Sequence, residues 1–270
     1  MRRVTGIAIA ASIALGCASA GPAPDAERVV DLTHSFDATT VYWPSGEGFR
    51  LHVDADGPSP GGYYYRANSF STAEHGGTHL DAPSHFARDG HAVDAVPPER
   101  LVGPGVVVDV AARCSGDPDC TVSVADLEAF EAREGRIPAG AIVLLRTGTG
   151  ERWPDRAAYL GTELRGPGAV AKLRFPGLGA AAARWLADLR GVDAVGIDTA
   201  SIDPGRSTTF EAHRELAARN VPIFENVARL AELPATGFRV VALPMKIGGG
   251  SGAPLRIVAI LPEERAPLSP

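Results

Sequence analysis

The sequence predicts a single α/β domain in which a mixed, mostly buried β-sheet is flanked by helices. Compact runs of Val, Ile and Leu alternate with segments of helical periodicity, and glycine or proline separates them. The apolar runs are continuous rather than interrupted by polar residues, which indicates strands covered on both faces. Residues 21–101 show little helical pattern, so we expect a mixed sheet rather than a purely parallel one.

The elements are predicted in chain order from these runs and from their end signals. RVVDLTHSF starts the fold as a strand, and GPGVVVDVA from Gly103 is a buried strand. Ser123 is placed to cap a helix that begins at Val124 and stops at Gly135, with Asp126 in the capping-box position. The remaining elements are the strand AIVLLRTG, the helix GLGAAAARWLADLRG, the strand VDAVGIDT, the helix FEAHRELAARN, the extended segment VPIFENV and the late strands FRVVALPMKI and PLRIVAIL.

The N-terminus has the pattern of a secretory signal. Met1–Arg3 is positively charged, and the apolar run of residues 4–15 is shorter than the about 20 residues of a membrane span. Two cleavage sites are readable, Ala18-Ser19-Ala20 and Leu15-Gly16-Cys17. The second resembles a bacterial lipoprotein box and would leave Cys17 lipidated.

These signals predict the domain organisation and the location. Residues 1–20 are predicted to be a signal peptide, 21–28 a tether and 29–265 one domain. The protein is expected to be exported, to the periplasm or to the cell envelope as a lipoprotein, with membrane contact only through a lipid on Cys17. A net charge of −6 without a Lys/Arg cluster argues against nucleic acid as a partner.

Cys114 and Cys120 flank the turn SGDPD. Because an exported protein meets an oxidising compartment, we expect a disulfide to close this turn. We reject a metal-binding pair, since five intervening residues exceed the usual two to four between zinc-binding cysteines.

The segment EHGGTHLDAPSHF places three of the seven histidines and an aspartate within eleven positions. Two adjacent glycines disfavour a helix interior by about 1 kcal/mol each, so a turn into a short strand is expected. In a strand, residues two apart face the same way, so His79 and Asp81 point together. A turn at the glycines can return His75 to the same point, and Pro83 fixes the approach of His85. Imidazole and carboxylate on one face favour Zn²⁺, Mn²⁺ or a similar ion over a set of ordinary turn residues.

Two distant residues are candidates to complete such a site. His213 lies on a predicted helix, and Glu225 follows in PIFENV. A glutamate among Ile223, Phe224 and Val227 is not expected to be fully solvated, and a buried carboxylate needs a proton, a cation or a metal. A salt-bridge role for Glu225 is the alternative.

The chain resembles the cyclase family of metal-dependent hydrolases, which includes kynurenine formamidase (arylformamidase) and isatin hydrolase. The family signature H-x-G-T-H-x-D-x-P-x-H is matched throughout, by His75, Gly77, Thr78, His79, Asp81, Pro83 and His85. A downstream histidine and a glutamate within EN match as His213 and Glu225. The resemblance covers roughly residues 29 to 262.

The resemblance implies a fold, a set of roles and an assembly. His75, His79 and Asp81 would bind metal, joined in members with two ions by His213 and Glu225, so one or two ions of Zn²⁺ or Mn²⁺ are expected per chain. His85 would be the general base or proton shuttle. Thr78 would orient the ligands through its hydroxyl. A homodimer is expected.

The predicted activity is metal-dependent hydrolysis of a small aryl amide, in which a divalent ion lowers the pKa of its bound water from 15.7 to about 7. An N-aryl formamide of the arylformamidase type is the leading substrate class. The alternatives are isatin-like opening of a cyclic amide and a non-catalytic envelope lipoprotein that binds a metal or a small ligand.

An aryl substrate needs an apolar wall, and aromatic residues crowd the sequence around the histidine cluster. The candidates for substrate contact are Trp43, Tyr63, Tyr64, Tyr65 and Phe86. Core packing is the alternative for each. Ser201 and Asp203, in DTASIDP, are candidates for the polar end of a substrate, with a solvent-exposed loop as the alternative.

Overall fold

The computed structural model describes residues 27–262, so the predicted signal peptide and Cys17 lie outside the described residues. The strands are β1 (Glu27–Asp31), β2 (Arg50–Pro58), β3 (Tyr64–Ser71), β4 (His79–Asp81), β5 (Val102–Asp109), β6 (Thr121–Val122), β7 (Ile142–Arg146), β8 (Gly177–Leu178), β9 (Ala194–Ile197), β10 (Ile223–Glu225), β11 (Phe238–Pro244) and β12 (Gly252–Pro262). The helices are α1 (Ala111–Cys114), α2 (Val124–Glu134), α3 (Arg156–Leu160), α4 (Ala180–Arg184), which continues as a π-helical segment over Trp185–Arg190, and α5 (Glu211–Ala217). Between residues 27 and 262, no helix is long and apolar enough to cross a membrane.

Seven strands close into a mixed barrel in the order β12-β11-β5-β7-β9-β10-β4, and β4 pairs with β12 to complete the ring. The β5–β7, β7–β9 and β9–β10 pairs are parallel, and the others are antiparallel. β1 extends the sheet beside the second half of β12. The predicted single α/β domain with a mixed sheet is confirmed, and its closure into a barrel is a feature that the sequence did not predict.

The core explains why the strands are apolar on both faces. In β7, Val143 and Leu145 pack in a cluster with residues of α2, α4 and α5, whereas Ile142 and Leu144 pack with side chains from the other barrel strands. Every position of such a strand is therefore removed from water, as its continuous Val/Ile/Leu run indicates.

The predicted end signals of α2 and the predicted disulfide are confirmed. The Ser123 hydroxyl accepts a hydrogen bond from the backbone N–H of Asp126, whose carboxylate accepts from the backbone N–H of Ser123. The helix ends at Glu134, before Gly135. Cys114 and Cys120 form a disulfide with their Cα atoms 5.3 Å apart.

A two-stranded hairpin, formed by β2 and β3, is separate from the barrel sheet. The sequence predicted no strands here, because polar and aromatic residues obscure the alternation. The side chains of this hairpin are mostly exposed.

Candidate active site

The short strand β4 places two of the predicted ligands side by side. Leu80 points into the core, while His79 and Asp81 share the opposite face of the strand, with His79 Nε2 3.1 Å from Asp81 Oδ1. All three residues are buried. Pro83 begins a 3₁₀ turn that ends at His85.

The glycine pair before β4 makes the turn that brings His75 back to the site. Gly77 has φ +59°, and a Cβ there would lie 2.6 Å from the Phe36 ring. A Cβ on Gly76 would lie 2.0 Å from the Tyr42 ring, so only glycine fits at either position. The turn leaves His75 Nδ1 2.6 Å from Asp81 Oδ1.

Barrel closure brings in the distant residues. Glu225 at the end of β10 is opposite His79 in the β4–β10 ladder, and its Oε2 lies 3.5 Å from His79 Nε2. His213 on α5 has its Nε2 3.1 Å from both Asp81 Oδ2 and Glu225 Oε1. The structure thus brings together all five residues predicted to bind metal.

The hydrogen bonds on the far side of each imidazole determine which nitrogen faces the site. The Gly77 carbonyl accepts from His79 Nδ1, and the Asp203 carboxylate accepts from His213 Nδ1, so Nε2 of each ring faces inward. His75 donates from Nε2 to the Ser251 hydroxyl, which itself donates to Glu74. His75 therefore offers Nδ1. Outer hydrogen bonds of this kind are the ones that orient metal-binding histidines.

The side chains fit a divalent cation. His79 Nε2 is buried and makes no hydrogen bond, yet it lies beside the carboxylates of Asp81 and Glu225. Ligand atoms of these three residues lie within 4.8 Å of one another, as do those of His75, Asp81 and His85. Nitrogen and oxygen donors of this kind suit Zn²⁺ or Mn²⁺. Asp81 belongs to both groups, so it is the residue able to bridge two ions.

The electrostatics of the site favour a positive charge at its centre. Burial by itself lowers the pKa of His79, but the Asp81 and Glu225 carboxylates outweigh it and raise that pKa to about 9. Burial also raises the pKa of Glu225, and the charge of Asp81 raises it further. Two buried carboxylates this close are stabilised by bound protons or by a cation.

His85 lies at the cavity wall, where its ring stacks on that of His75 with centroids 3.9 Å apart. Burial lowers the pKa of His85 to about 4; the Asp81 carboxylate opposes this shift, and the neighbouring imidazoles add to it. His85 is therefore neutral near pH 7 and able to accept a proton, and one side of the residue is open to solvent.

A cavity of about 330 Å³ opens over these residues. Trp43, Phe86 and Phe210 form its aromatic wall, with ring centroids of Phe210 and Phe86 5.4 Å apart and of Phe210 and Trp43 6.3 Å apart. Trp43 and Phe86 were predicted to contact substrate. Phe210 was not, because it is distant in sequence and no local pattern marks it.

The predicted substrate contacts of Tyr63, Tyr64 and Tyr65 are corrected by the structure. These residues lie on the exposed β2–β3 hairpin, with 64%, 65% and 54% of their surfaces accessible, and they do not line the cavity. Their closeness in sequence to the histidine cluster does not bring them to the site, because the hairpin projects from the barrel.

For three further polar residues the structure shows contacts that differ from the predicted roles or decide between alternatives. Asp203 is buried and accepts from His213 Nδ1 at 2.7 Å, so it orients a ligand rather than meeting substrate. Ser201 is buried and lines the cavity. The Thr78 hydroxyl donates to the backbone carbonyl of Asn226, so it stabilises the segment next to Glu225 instead of touching a ligand side chain.

Comparisons with known proteins match this geometry. The family model Cyclase, described as "Putative cyclase", matches residues 30–204. The chain belongs to the Cyclase family. An isatin hydrolase from Roseibium aggregatum is 32% identical over 78% of this chain and 78% of its own length. A kynurenine formamidase from Salinibacter ruber is 31% identical over 85% of this chain and 96% of its own length.

A solved structure extends the likeness to the fold. Isatin hydrolase A from Ralstonia solanacearum superposes with a TM-score of 0.78 at 35% identity, covering 87% of this chain and 92% of that one. The relatives of this Cyclase-family chain thus include proteins named for two different activities.

Proposed function

We propose that this Cyclase-family protein is a metal-dependent amide hydrolase whose substrate is an uncharged aryl amide, best represented by the cyclic amide isatin. The observation that supports this is the composition of the cavity: cation-binding side chains at its base, three aromatic rings in its wall, and neither Lys nor Arg among its described lining residues.

In the proposed reaction, water adds to the amide carbonyl and the C–N bond breaks. A divalent cation would be held by His75, His79, Asp81, His213 and Glu225, and when bound it lowers the pKa of water and polarises the carbonyl. His85, neutral near pH 7, accepts the proton of the attacking water and delivers it to the leaving nitrogen. Opening a ring gives one product that carries both the carboxylate and the aryl amine.

The absence of a cationic side chain from the described lining favours uncharged substrates. N-formylkynurenine carries an amino-acid carboxylate, and transferring a carboxylate into an apolar cavity without a partner is costly. Isatin has no formal charge, and its fused rings suit a wall made of Trp43, Phe86 and Phe210. Formanilide, an uncharged N-aryl formamide, is the second candidate, since the same wall accommodates it.

The test is turnover of isatin, formanilide and N-formylkynurenine by the purified protein, with Zn²⁺ or Mn²⁺ restored after chelation. We expect metal-dependent opening of isatin, with kcat/KM for N-formylkynurenine at least about tenfold lower, because an unpaired polar group at a binding site costs about 1–3 kcal/mol. Preferred turnover of N-formylkynurenine would overturn the substrate proposal.

The catalytic role of His85 is tested with a matched histidine. His85→Ala is expected to lower kcat by about 10²–10⁴, the usual contribution of general acid–base catalysis. His52→Ala, on the exposed hairpin, is the control and should leave kcat unchanged. Tight metal binding by a protein that turns over none of the three amides would instead support a non-catalytic binding protein.

We also propose that the protein is exported and folds in an oxidising compartment. The disulfide between Cys114 and Cys120 supports this location, because such bonds are rare in reducing compartments. Whether Cys17 carries a lipid is tested by mass spectrometry of the mature N-terminus.

A further inference from the structure

A buried hydrogen-bond network lies behind the cation-binding side chains. The Gly77 carbonyl accepts two hydrogen bonds, from His79 Nδ1 at 3.0 Å and from Asn226 Nδ2 at 2.7 Å. The Tyr159 hydroxyl donates to Asn226 Oδ1 at 2.8 Å, the nearer of its two acceptors; the Asp198 carbonyl lies at 3.2 Å. Because the Gly77 oxygen only accepts and the Tyr159 hydroxyl donates, the orientation of the Asn226 amide is determined by its partners.

Asn226 joins the two chain segments from which the site is built. Its side chain bonds to Gly77, while its backbone carbonyl accepts from the Thr78 hydroxyl at 2.8 Å and its backbone N–H donates to Thr199. It directly follows Glu225 and has φ +54°, a left-handed conformation that costs about 1–2 kcal/mol in a residue with a Cβ. Asparagine tolerates this conformation better than most residues, and here it turns the amide toward the Gly77–His79 segment.

The site needs such a connection because two of its side chains, the carboxylates of Asp81 and Glu225, repel each other. The carboxylates of Asp81 and Glu225 are both buried and both lie within 3.5 Å of His79 Nε2. Like charges in a buried site repel each other. Only three residue pairs join β4 to β10. The hydrogen bond from the Asn226 amide to Gly77 is therefore an additional link between the segments that carry the two repelling carboxylates.

We propose that Asn226, held in place by the Tyr159 hydroxyl, is a positioning residue that presets the His79 imidazole and the Glu225 carboxylate for a divalent cation. It acts through the Gly77 carbonyl, which accepts from His79 Nδ1 and thereby directs Nε2 toward the Asp81 and Glu225 carboxylates. Tyr159 does not line the cavity, so its contribution to cation affinity is indirect. This inference rests on the cation site of the proposed function but not on its substrate.

The experiment measures cation affinity directly, by competition of Zn²⁺ and Mn²⁺ between the full chain and a chelating dye. Tyr159→Phe and Asn226→Ala are each expected to weaken binding about 10- to 100-fold, the usual effect of removing an outer partner of a metal ligand. Because Tyr159 acts through Asn226, the double variant should bind no more weakly than Asn226→Ala alone.

Tyr42→Phe is the matched control, since Tyr42 is also buried, the substitution keeps its ring, and its hydroxyl bonds to Thr72 rather than to Asn226 or a ligand. Thermal unfolding of each cation-free protein separates positioning from stability: a purely structural role would lower Tm and leave the cation Kd unchanged. Kd values within twofold of wild type in both Tyr159→Phe and Asn226→Ala would overturn the inference. Failure of the wild-type chain to bind either cation would instead overturn the proposed function.

Discussion

At the scale of single residues, His34 shows how the interior sets a protonation state. Its ring stacks on Trp153 with centroids 4.1 Å apart, and its Nε2 is buried with no hydrogen-bond partner. A proton on that nitrogen would place a charge in the interior without an acceptor. Burial accordingly lowers the pKa of His34 to about 4.

This shift predicts a loss of stability in acid. The unfolded chain binds a proton on His34 near pH 6.5, whereas the folded protein binds it only near pH 4. The contribution of neutral His34 to the free energy of unfolding is therefore complete above pH 6.5 and is lost as the pH falls toward 4. The loss amounts to at most about 3 kcal/mol, since each pKa unit corresponds to about 1.36 kcal/mol. Urea unfolding of His34→Gln across this range should show a shallower pH dependence than wild type. His52→Gln on the exposed hairpin is the control, and a slope unchanged in His34→Gln would contradict the prediction.

At the scale of elements, the turn at Gly76 and Gly77 and the strand β4 form the unit that carries most of the site. The turn requires glycine for two reasons, the left-handed φ of Gly77 and the close approach of aromatic rings to both residues. The strand then uses its period of two to separate Leu80, which packs in the core, from the ligands His79 and Asp81.

Gly77→Ala tests this unit. The added Cβ would lie 2.6 Å from Phe36 at φ +59°, so overpacking and left-handed strain together should lower the free energy of unfolding by about 2–4 kcal/mol. Gly62→Ala is the matched control, because Gly62 has φ +80° but nothing lies within 4 Å of its added Cβ. Gly62→Ala should lower the free energy of unfolding only by the left-handed strain, about 1 kcal/mol. Equal losses in the two variants, measured by urea unfolding, would show that packing against Phe36 is unimportant.

The β2–β3 hairpin carries apolar side chains that no other part of the described chain covers. One face carries Leu51, Val53, Tyr64 and Phe70, each about half exposed or more, together with Arg66, while the other carries mostly polar residues such as His52. A two-stranded ribbon is at best marginally stable alone in water, so exposed apolar side chains grouped in this way indicate a contact.

At the scale of the whole molecule, we propose that the contact is made by a second copy of the chain, in keeping with the homodimer that the family resemblance implies. A two-fold arrangement, in which each ribbon packs on the other copy, would bury the apolar side chains of both ribbons. Light scattering should give twice the mass of one chain. The double variant Leu51→Asp with Val53→Asp should be monomeric. His52→Asp, on the other face of the hairpin, is the control and should remain dimeric. A monomeric wild-type protein would refute the proposal.

Closure of the barrel is the other property of the whole molecule, and it decides where the site forms. β4 pairs with β10 on one side and with β12 on the other, so Glu225 and Ser251 reach the histidines only when the ring is complete. The site therefore depends on pairings between residues more than 140 positions apart.

The sequence by itself determined the features that depend on a few neighbouring residues. The capping box at Ser123, the apolar strands, the disulfide turn and the shared face of His79 and Asp81 follow from spacing and local chemistry. His213 and Glu225 were candidates from their sequence context, and the family resemblance gave them a role. Only the tertiary structure decided the closed barrel, the place of Phe210 in the wall, the exposure of Tyr63 and the hydrogen bond from His213 to Asp203. The physical reason is that burial and hydrogen-bond partners are set by segments far apart in the chain, and no local periodicity records which segments will meet.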